Sequence, residues 1–281
     1  MLKQIDATTL YSAVRLTVRF SEYGEVRPSA GSGTGFVVGE GTGPDEHLYL
    51  VTNRHVVDAD YEKRRGWTLT DVRITGFYQS SRDFQSPPVR QEVVLASPEF
   101  CFPSAWHVDL AVLPLITDRT EVVSGRGRFN VLPASMLALR HDFRSGDVTV
   151  GRQVLMPGYP GIGDQLADRP ILVGGVIATD PRFPAVLGSK EYPDEALCHA
   201  FSWKGMSGSP VLCAVPRPVT WNDFDSKGAM GTQYVLAGVN AGHIEARSDA
   251  AAGAISRFVK GDVLADLLRQ AGADIFELPG E

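Results

Sequence analysis

Apolar and polar residues alternate along most of this chain with a period of two. In "AVRLTVRF", Val14, Leu16, Val18 and Phe20 fall on one face and Arg15, Thr17 and Arg19 on the other, the pattern of a strand with one buried side. Short β-rich runs recur at "GTGFVVG", "HLYLVTN", "DVRITGFY", "DLAVLPL", "RQVLMPGYP", "ILVGGVIATD", "GSPVLCAV" and "QYVLAGVN", bounded by Gly, Pro, Asn or Asp. Many short strands without β–α alternation predict an all-β chain built as a barrel or sandwich. A helical period appears late, in "AISRFVKGDVLADLLRQAG". There Ile255, Phe258, Val259, Val263, Leu264, Leu267 and Leu268 repeat at helical spacing. They predict a C-terminal helix over 253–272 with Gly272 as its stop, slightly weakened by Gly261 in its middle. "NRHVVDAD" reads as a single helical turn. Between about 125 and 146 the strand signal fades, which divides the chain into two β-halves, 10–125 and 146–250.

Composition narrows the function classes. The 281 residues carry a net charge of −6, with 43% hydrophobic and 21% charged residues, an ordinary globular balance. An acidic chain argues against non-specific nucleic-acid binding, where a basic patch is expected. No apolar run approaches the roughly 18 residues a membrane span requires. The N-terminal "MLKQIDATTLYSAVRLTVRF" lacks the uninterrupted apolar core and cleavage site of a secretory signal, so a cytoplasmic location is expected. Three cysteines, Cys101, Cys198 and Cys213, are odd in number and widely spaced, which favours reduced thiols over a disulfide framework or zinc site. The six histidines show no metal-ligand spacing. "GSGTGF" has no following Lys-Ser/Thr and opens a strand, so it is not a phosphate loop. No cofactor or metal is expected.

Three segments carry candidate chemistry. "YLVTNRHVV" runs an apolar strand into a turn that presents His55. "WHVDLAVLPL" opens an apolar strand with Asp109, a carboxylate that must be paired or hydrogen-bonded if buried. "WKGMSGSPV" sets Ser207 in a glycine-flanked turn before a strand. Alone, each has an ordinary reading: a core or surface histidine, a turn cap, a loop. Serine becomes a useful nucleophile when a base takes its proton and donors receive the developing charge. A tight turn lets the N–H groups of Gly205 and Ser207 converge on one oxyanion. Ser209 is the rival nucleophile, but it leads directly into Pro210 and the strand. His107 shares the strand face of Asp109 and ranks as a neighbour.

The order His55, Asp109, Ser207 resembles the trypsin-like (chymotrypsin-fold) serine peptidases, whose motifs are T-A-A-H, D-[IL]-A and G-D-S-G-G-P. This chain reads "TNRH" at 52–55, "DLAVL" at 109–113 and "GMSGSP" at 205–210. "TNRHVV" and "GMSGSPV" look more like bacterial Deg/HtrA-type and glutamyl-endopeptidase-type enzymes than animal trypsins. The resemblance spans about residues 12–270. It implies two six-stranded antiparallel β-barrels with a cleft between them and a C-terminal helix. His55 is then the general base, Asp109 its orienting partner, Ser207 the nucleophile, and the Gly205 and Ser207 amides the oxyanion hole. It further implies a protein or peptide substrate and an acyl-enzyme intermediate. Deg proteins usually append a PDZ module, but too few residues follow the last expected strand for one, so a bare protease domain is expected.

Departures from the family pattern mark the open points. Met206 stands where secreted digestive members carry an aspartate that pairs with a newly cut N-terminus, so no such activation is expected. What orders the oxyanion loop is left open. That leaves room for a regulatory protein partner, or for an idle protease fold used as a binding module. Counting back six from Ser207 places the pocket floor at Phe201, with Asn240, Ala241 and His243 near its wall. An apolar floor disfavours Arg or Lys at the cleaved position. Glutamyl enzymes carry a histidine about where Asn240 falls. Stretches 60–92 and 214–232 look like long inserts beyond a minimal barrel.

Overall fold

The computed structural model describes residues 7–275, apart from 24, 27–30, 42–45, 62–65, 80–85, 116–120, 127, 163–164, 167, 188, 219–229 and 245–254. The first six residues, Trp221 and the start of the expected helix at 253–254 lie outside the described residues.

After one helical turn, α1 (Ala7–Leu10), the N-terminal half is a sheet. Its strands are β1 (Ala13–Glu22), β2 (Glu25–Val26), β3 (Gly31–Glu40), β4 (His47–Thr52), β5 (Trp67–Tyr78), β6 (Val89–Ala96), β7 (Ala111–Pro114), β8 (Glu121–Arg126) and β9 (Val131–Pro133). They run in the order β7-β4-β3-β1-β5-β6-β8, with β2 on β1 and β9 parallel to β3. Among the described residues this sheet stays a half-barrel, since β7 and β8 end it without meeting. β1 buries Val14, Leu16, Val18 and Phe20 and exposes Arg19, as its alternation predicts. The stretch 60–92, expected as an insert, supplies β5 and much of β6, which extend the sheet from β1. Its Val72, Ile74 and Phe77 are buried, so strand pairing uses it as core.

A short helix, α2 (Arg54–Val57), follows β4, and α3 (Arg140–Arg144) lies in the connection between the halves. The C-terminal half is a closed six-stranded barrel of β10 (Gln153–Gly158), β13 (Ile171–Ile177), β16 (Glu195–Ala200), β17 (Pro210–Pro218), β18 (Met230–His243) and β19 (Ile255–Lys260). Two small hairpins, β11 (Gly161–Ile162) with β12 (Gln165–Leu166) and β14 (Ala185–Leu187) with β15 (Lys190–Tyr192), hang from it. The expected insert 214–232 is strand at both ends, in β17 and β18; its middle lies outside the described residues.

The C-terminal helix is shorter than its periodicity predicts. Residues 255–260 form β19, the strand that closes the barrel between β16 and β18. Only α4 (Gly261–Gln270) is helical. Ser256 and Phe258 point into the barrel and are fully buried, an alternation that the helical spacing of Ile255, Phe258 and Val259 masked. Past α4 the chain turns at Gly272 (φ +103°), where the Ala273 N–H closes on the Leu268 carbonyl at 2.9 Å.

One core joins the halves. Phe36, Val51, Val108, Leu110 and Val112 of the first pack with Leu155, Leu212, Leu236 and Val239 of the second, under Leu264, Leu267 and Leu268 of α4. The hydrophobic effect thereby fixes how the two sheets face each other along the seam where the candidate residues converge. No helix among the described residues is long and apolar enough to cross a membrane.

Candidate active site

Strand pairing brings the first two candidates together. β4 and β7 are antiparallel neighbours with Thr52 opposite Ala111. Asn53 and His55 leave the end of β4 just where Asp109 approaches β7. Asp109 is 1% exposed, and both its oxygens are taken by one residue. The His55 backbone N–H donates to Oδ1 at 2.9 Å, and His55 Nδ1 lies 2.6 Å from Oδ2. An ionised carboxylate only accepts, so this contact places the ring proton on Nδ1 and leaves Nε2 as an acceptor. Asn53 Nδ2 donates to the Asp109 carbonyl at 2.8 Å, pinning the chain on the other side.

The neighbouring Arg54 was not singled out from sequence. It is 8% exposed, bonds Asp58 Oδ2 at 2.7 Å, and holds its guanidinium 4.0 Å from the Trp106 ring centroid and 4.6 Å from that of Phe102. It clasps the histidine turn to the segment that leads into Asp109. The i, i+4 spacing to Asp58 was the available signal. His107 is turned away, exposed and 3.0 Å from Asp194 Oδ2.

A cavity of about 180 Å³ lies beside this segment, lined in part by Tyr61, His107, Val108, Tyr192, Glu195 and Arg257. Arg257 Nη1 bonds both Glu195 oxygens, at 2.8 and 3.1 Å. Burial pushes the Glu195 carboxyl up against the opposing pull of Arg257. The Tyr61 hydroxyl is pushed up to about 12, first by burial and then by the Asp109 charge.

Ser207 sits in the turn 203–209 before β17 and is partly exposed. Thr34 N–H donates to its carbonyl at 2.8 Å. Gly33 packs between Val56 of α2 and that same carbonyl, since a β-carbon there would come within 2.8 Å of Val56 and 3.3 Å of Ser207 O. β3 thus touches both the histidine turn and the serine turn. Ser209 is fully buried, so substrate cannot reach its hydroxyl.

Three successive carbonyls of the turn are held by donors outside it. Lys204 O accepts from Gly161 N–H at 2.7 Å, Gly205 O from Thr34 Oγ1 at 2.7 Å, and Met206 O from Asn240 Nδ2 at 2.8 Å. Across a trans peptide the N–H points opposite the C=O, so the Gly205 N–H points away from the Gly161 amide and the Ser207 N–H away from the Asn240 side chain. Neither donates a hydrogen bond among the described residues. Gly205 has φ +93°, and a β-carbon on it would stand 2.5 Å from the Tyr159 carbonyl. Only glycine fits there. Met206 is fully buried in the core of the C-terminal barrel, an apolar anchor for the loop.

The expected pocket residues differ in exposure and partners. Phe201 is 51% exposed and stacks on Trp203, with centroids 5.6 Å apart and planes at 24°, so it closes no buried floor. Asn240 is fully buried, and its amide donates to Ser202 Oγ at 3.0 Å as well as to Met206 O. A buried amide must find partners, and these turn Asn240 from the pocket wall towards the serine loop. Ala241 is buried and His243 exposed at the end of β18.

Residues 33–215 match the family model of the trypsin-like peptidase domain, a stretch that includes His55, Asp109 and Ser207. The chain belongs to the trypsin-like peptidase family. As a member it is a serine endopeptidase whose substrates are proteins or peptides. Among solved structures, this trypsin-like peptidase is similar to Deg5, with 18% identity, a TM-score of 0.46, and 92% of this chain and 88% of that one covered. It is also similar to the active form of the Rv3671c protease from M. tuberculosis, with 20% identity, a TM-score of 0.47, and 98% and 86% covered. No curated protein matches the chain.

Proposed function

We propose that Ser207 is the nucleophile of this peptidase, His55 its general base and Asp109 the carboxylate that orients and charges the pair. The observation that carries this reading is the double contact of Asp109 with the His55 N–H and Nδ1. It commits the ring proton to Nδ1 and keeps Nε2 ready to accept. In this mechanism the Ser207 oxygen attacks the scissile carbonyl as its proton moves to His55 Nε2. The negative charge that develops on the carbonyl oxygen is received by the Gly205 and Ser207 N–H groups. The intermediate collapses, Nε2 returns the proton to the leaving amine, and the peptide's acyl half remains as an ester on Ser207. Water, deprotonated by Nε2, then attacks the ester and regenerates the serine.

The N-terminal half, 10–125, supplies base and carboxylate, and the C-terminal half, 146–250, supplies nucleophile and oxyanion donors. The held carbonyls of residues 204–206 favour an enzyme competent without a regulatory partner. Three free thiols fit a reducing, cytoplasmic setting.

A fluorophosphonate probe tests the assignment. The purified protein is expected to label at one site, and Ser207→Ala to abolish labelling. An unlabelled wild-type protein, or labelling that survives Ser207→Ala, would overturn it. Labelling only after a partner is added would favour the regulated effector.

A further inference from the structure

We infer that the Thr34 hydroxyl is the positioning residue of the oxyanion hole, a hydrogen-bond bridge from the N-terminal sheet that sets the direction of the Gly205 amide. The inference rests on the proposed roles of Ser207 and the two amides.

The buried Met206 side chain anchors the middle of the loop, but it does not by itself hold the peptides on either side of Gly205. Residues 203–208 include two glycines at positive φ, Gly205 and Gly208, and no salt bridge anchors them among the described residues. Thr34 is fully buried on β3 and makes four hydrogen bonds. Its N–H donates to Ser207 O at 2.8 Å, and its carbonyl accepts from Thr52 Oγ1 at 2.8 Å. Its hydroxyl accepts from Tyr159 N–H at 3.0 Å and donates to Gly205 O at 2.7 Å. The direction of this last bond is determined, because the Tyr159 N–H can only donate and a hydroxyl has one proton.

The hydroxyl thus ties the end of β10 to the peptide after Gly205, while Gly161 N–H holds the peptide before it through Lys204 O. With both flanking peptides held, the φ of Gly205 is held too, and so is the direction of its N–H. The Met206 N–H closing on Trp203 O at 3.0 Å is the turn that results. Without the hydroxyl, Gly205 O and Tyr159 N–H lose their buried partner. Rotation about the glycine relieves this. The Gly161 bond to Lys204 O is then the one hold among the described residues on the peptide that carries the oxyanion donor, which is aimed less firmly. A methyl of the same shape fills the space but cannot replace the bond.

The test is Thr34→Val beside Thr34→Ser, assayed on a peptide substrate and with a peptide aldehyde, which forms a tetrahedral adduct at the serine. Valine is expected to lower kcat by about 10- to 100-fold, below or near the loss of a whole oxyanion donor, with KM little changed. Aldehyde affinity should fall by the same factor as kcat/KM, while binding of a non-reactive product peptide holds. Serine, which keeps the hydroxyl, is expected to restore most of the loss. Should the valine variant fail to fold, Thr34→Ala against Thr34→Ser carries the same comparison. Wild-type kcat and aldehyde affinity in a folded hydroxyl-free variant overturn the inference, as does a serine variant as impaired as valine. Fluorophosphonate labelling of the wild-type protein separates the two readings. If it fails, the nucleophile assignment falls; if it succeeds and valine changes nothing, only the role of Thr34 falls.

Discussion

The buried Asp109 carboxylate gives both of its oxygens to His55, one to the backbone N–H at 2.9 Å and one to Nδ1 at 2.6 Å. One side chain therefore fixes the position, the ring angle and the tautomer of its partner together. Asp109→Asn keeps the shape but turns an NH₂ group towards one of those donors. The ring must then carry its proton on Nε2, where it cannot accept from Ser207. We expect kcat to fall about 10,000-fold in a folded protein. A loss smaller than about tenfold would remove Asp109 from this role.

Met206 anchors the loop as an apolar side chain in the barrel core. Met206→Leu should cost less than about 1.5 kcal/mol and leave most of the activity. Met206→Asp places a carboxylate among the apolar side chains of the barrel core, at a cost on the order of 3 to 5 kcal/mol at neutral pH. That deficit should shrink as the pH falls towards about 4, where the unfolded carboxyl also takes up a proton. Urea unfolding at two pH values measures both. An aspartate variant as stable as wild type at pH 7 would contradict the apolar anchor.

The clasp on Arg54 makes a separate prediction. Arg54→Ala removes the bond to Asp58 and the ring contacts with Trp106 and Phe102. We expect a loss of about 1 to 3 kcal/mol from cation–π and packing contributions. Trp106→Ala should reproduce part of the same loss, and the double variant should be less than additive. Strict additivity in a double-mutant cycle would show that the two residues do not interact.

Burial pushes the Cys198 and Cys213 thiols from 9.0 up to about 12. Both should resist an aromatic disulfide reagent at pH 8 until the protein unfolds. The folded state holds these protons more tightly than the unfolded chain does. Their contribution to stability is complete below about pH 9 and is lost as the pH rises towards 12. Tyr61, also raised to about 12, acts in the same direction. The thermal midpoint should therefore decline above about pH 9. A midpoint flat to pH 11, or rapid modification of all three thiols in the native protein, would count against these burials.

Several features of the fold were legible in the sequence for local reasons. The alternation in β1 shows which side chains face inward, because a strand exposes every second residue whatever it pairs with. His55 and Asp109 each announce themselves at the end of an apolar strand. Local spacing also misled. Ile255, Phe258 and Val259 fit a helical stripe, yet the barrel needs a strand between β16 and β18, and pairing overrides a helical spacing seen over six residues. Asn240 reads as a pocket wall from its place after the serine, but a fully buried amide turns to whichever carbonyl is near, here that of Met206.

By itself, then, the sequence determined the β-class and the faces of strands such as β1. Both follow from neighbours along the chain. Only the tertiary structure decided what holds the serine loop. Thr34 and Gly205 lie 171 positions apart, and their bond exists because one hydrophobic core presses β3 of the first sheet against the serine turn of the second. A hydroxyl in a glycine-rich strand has many possible partners, and the packing of the halves leaves it these two.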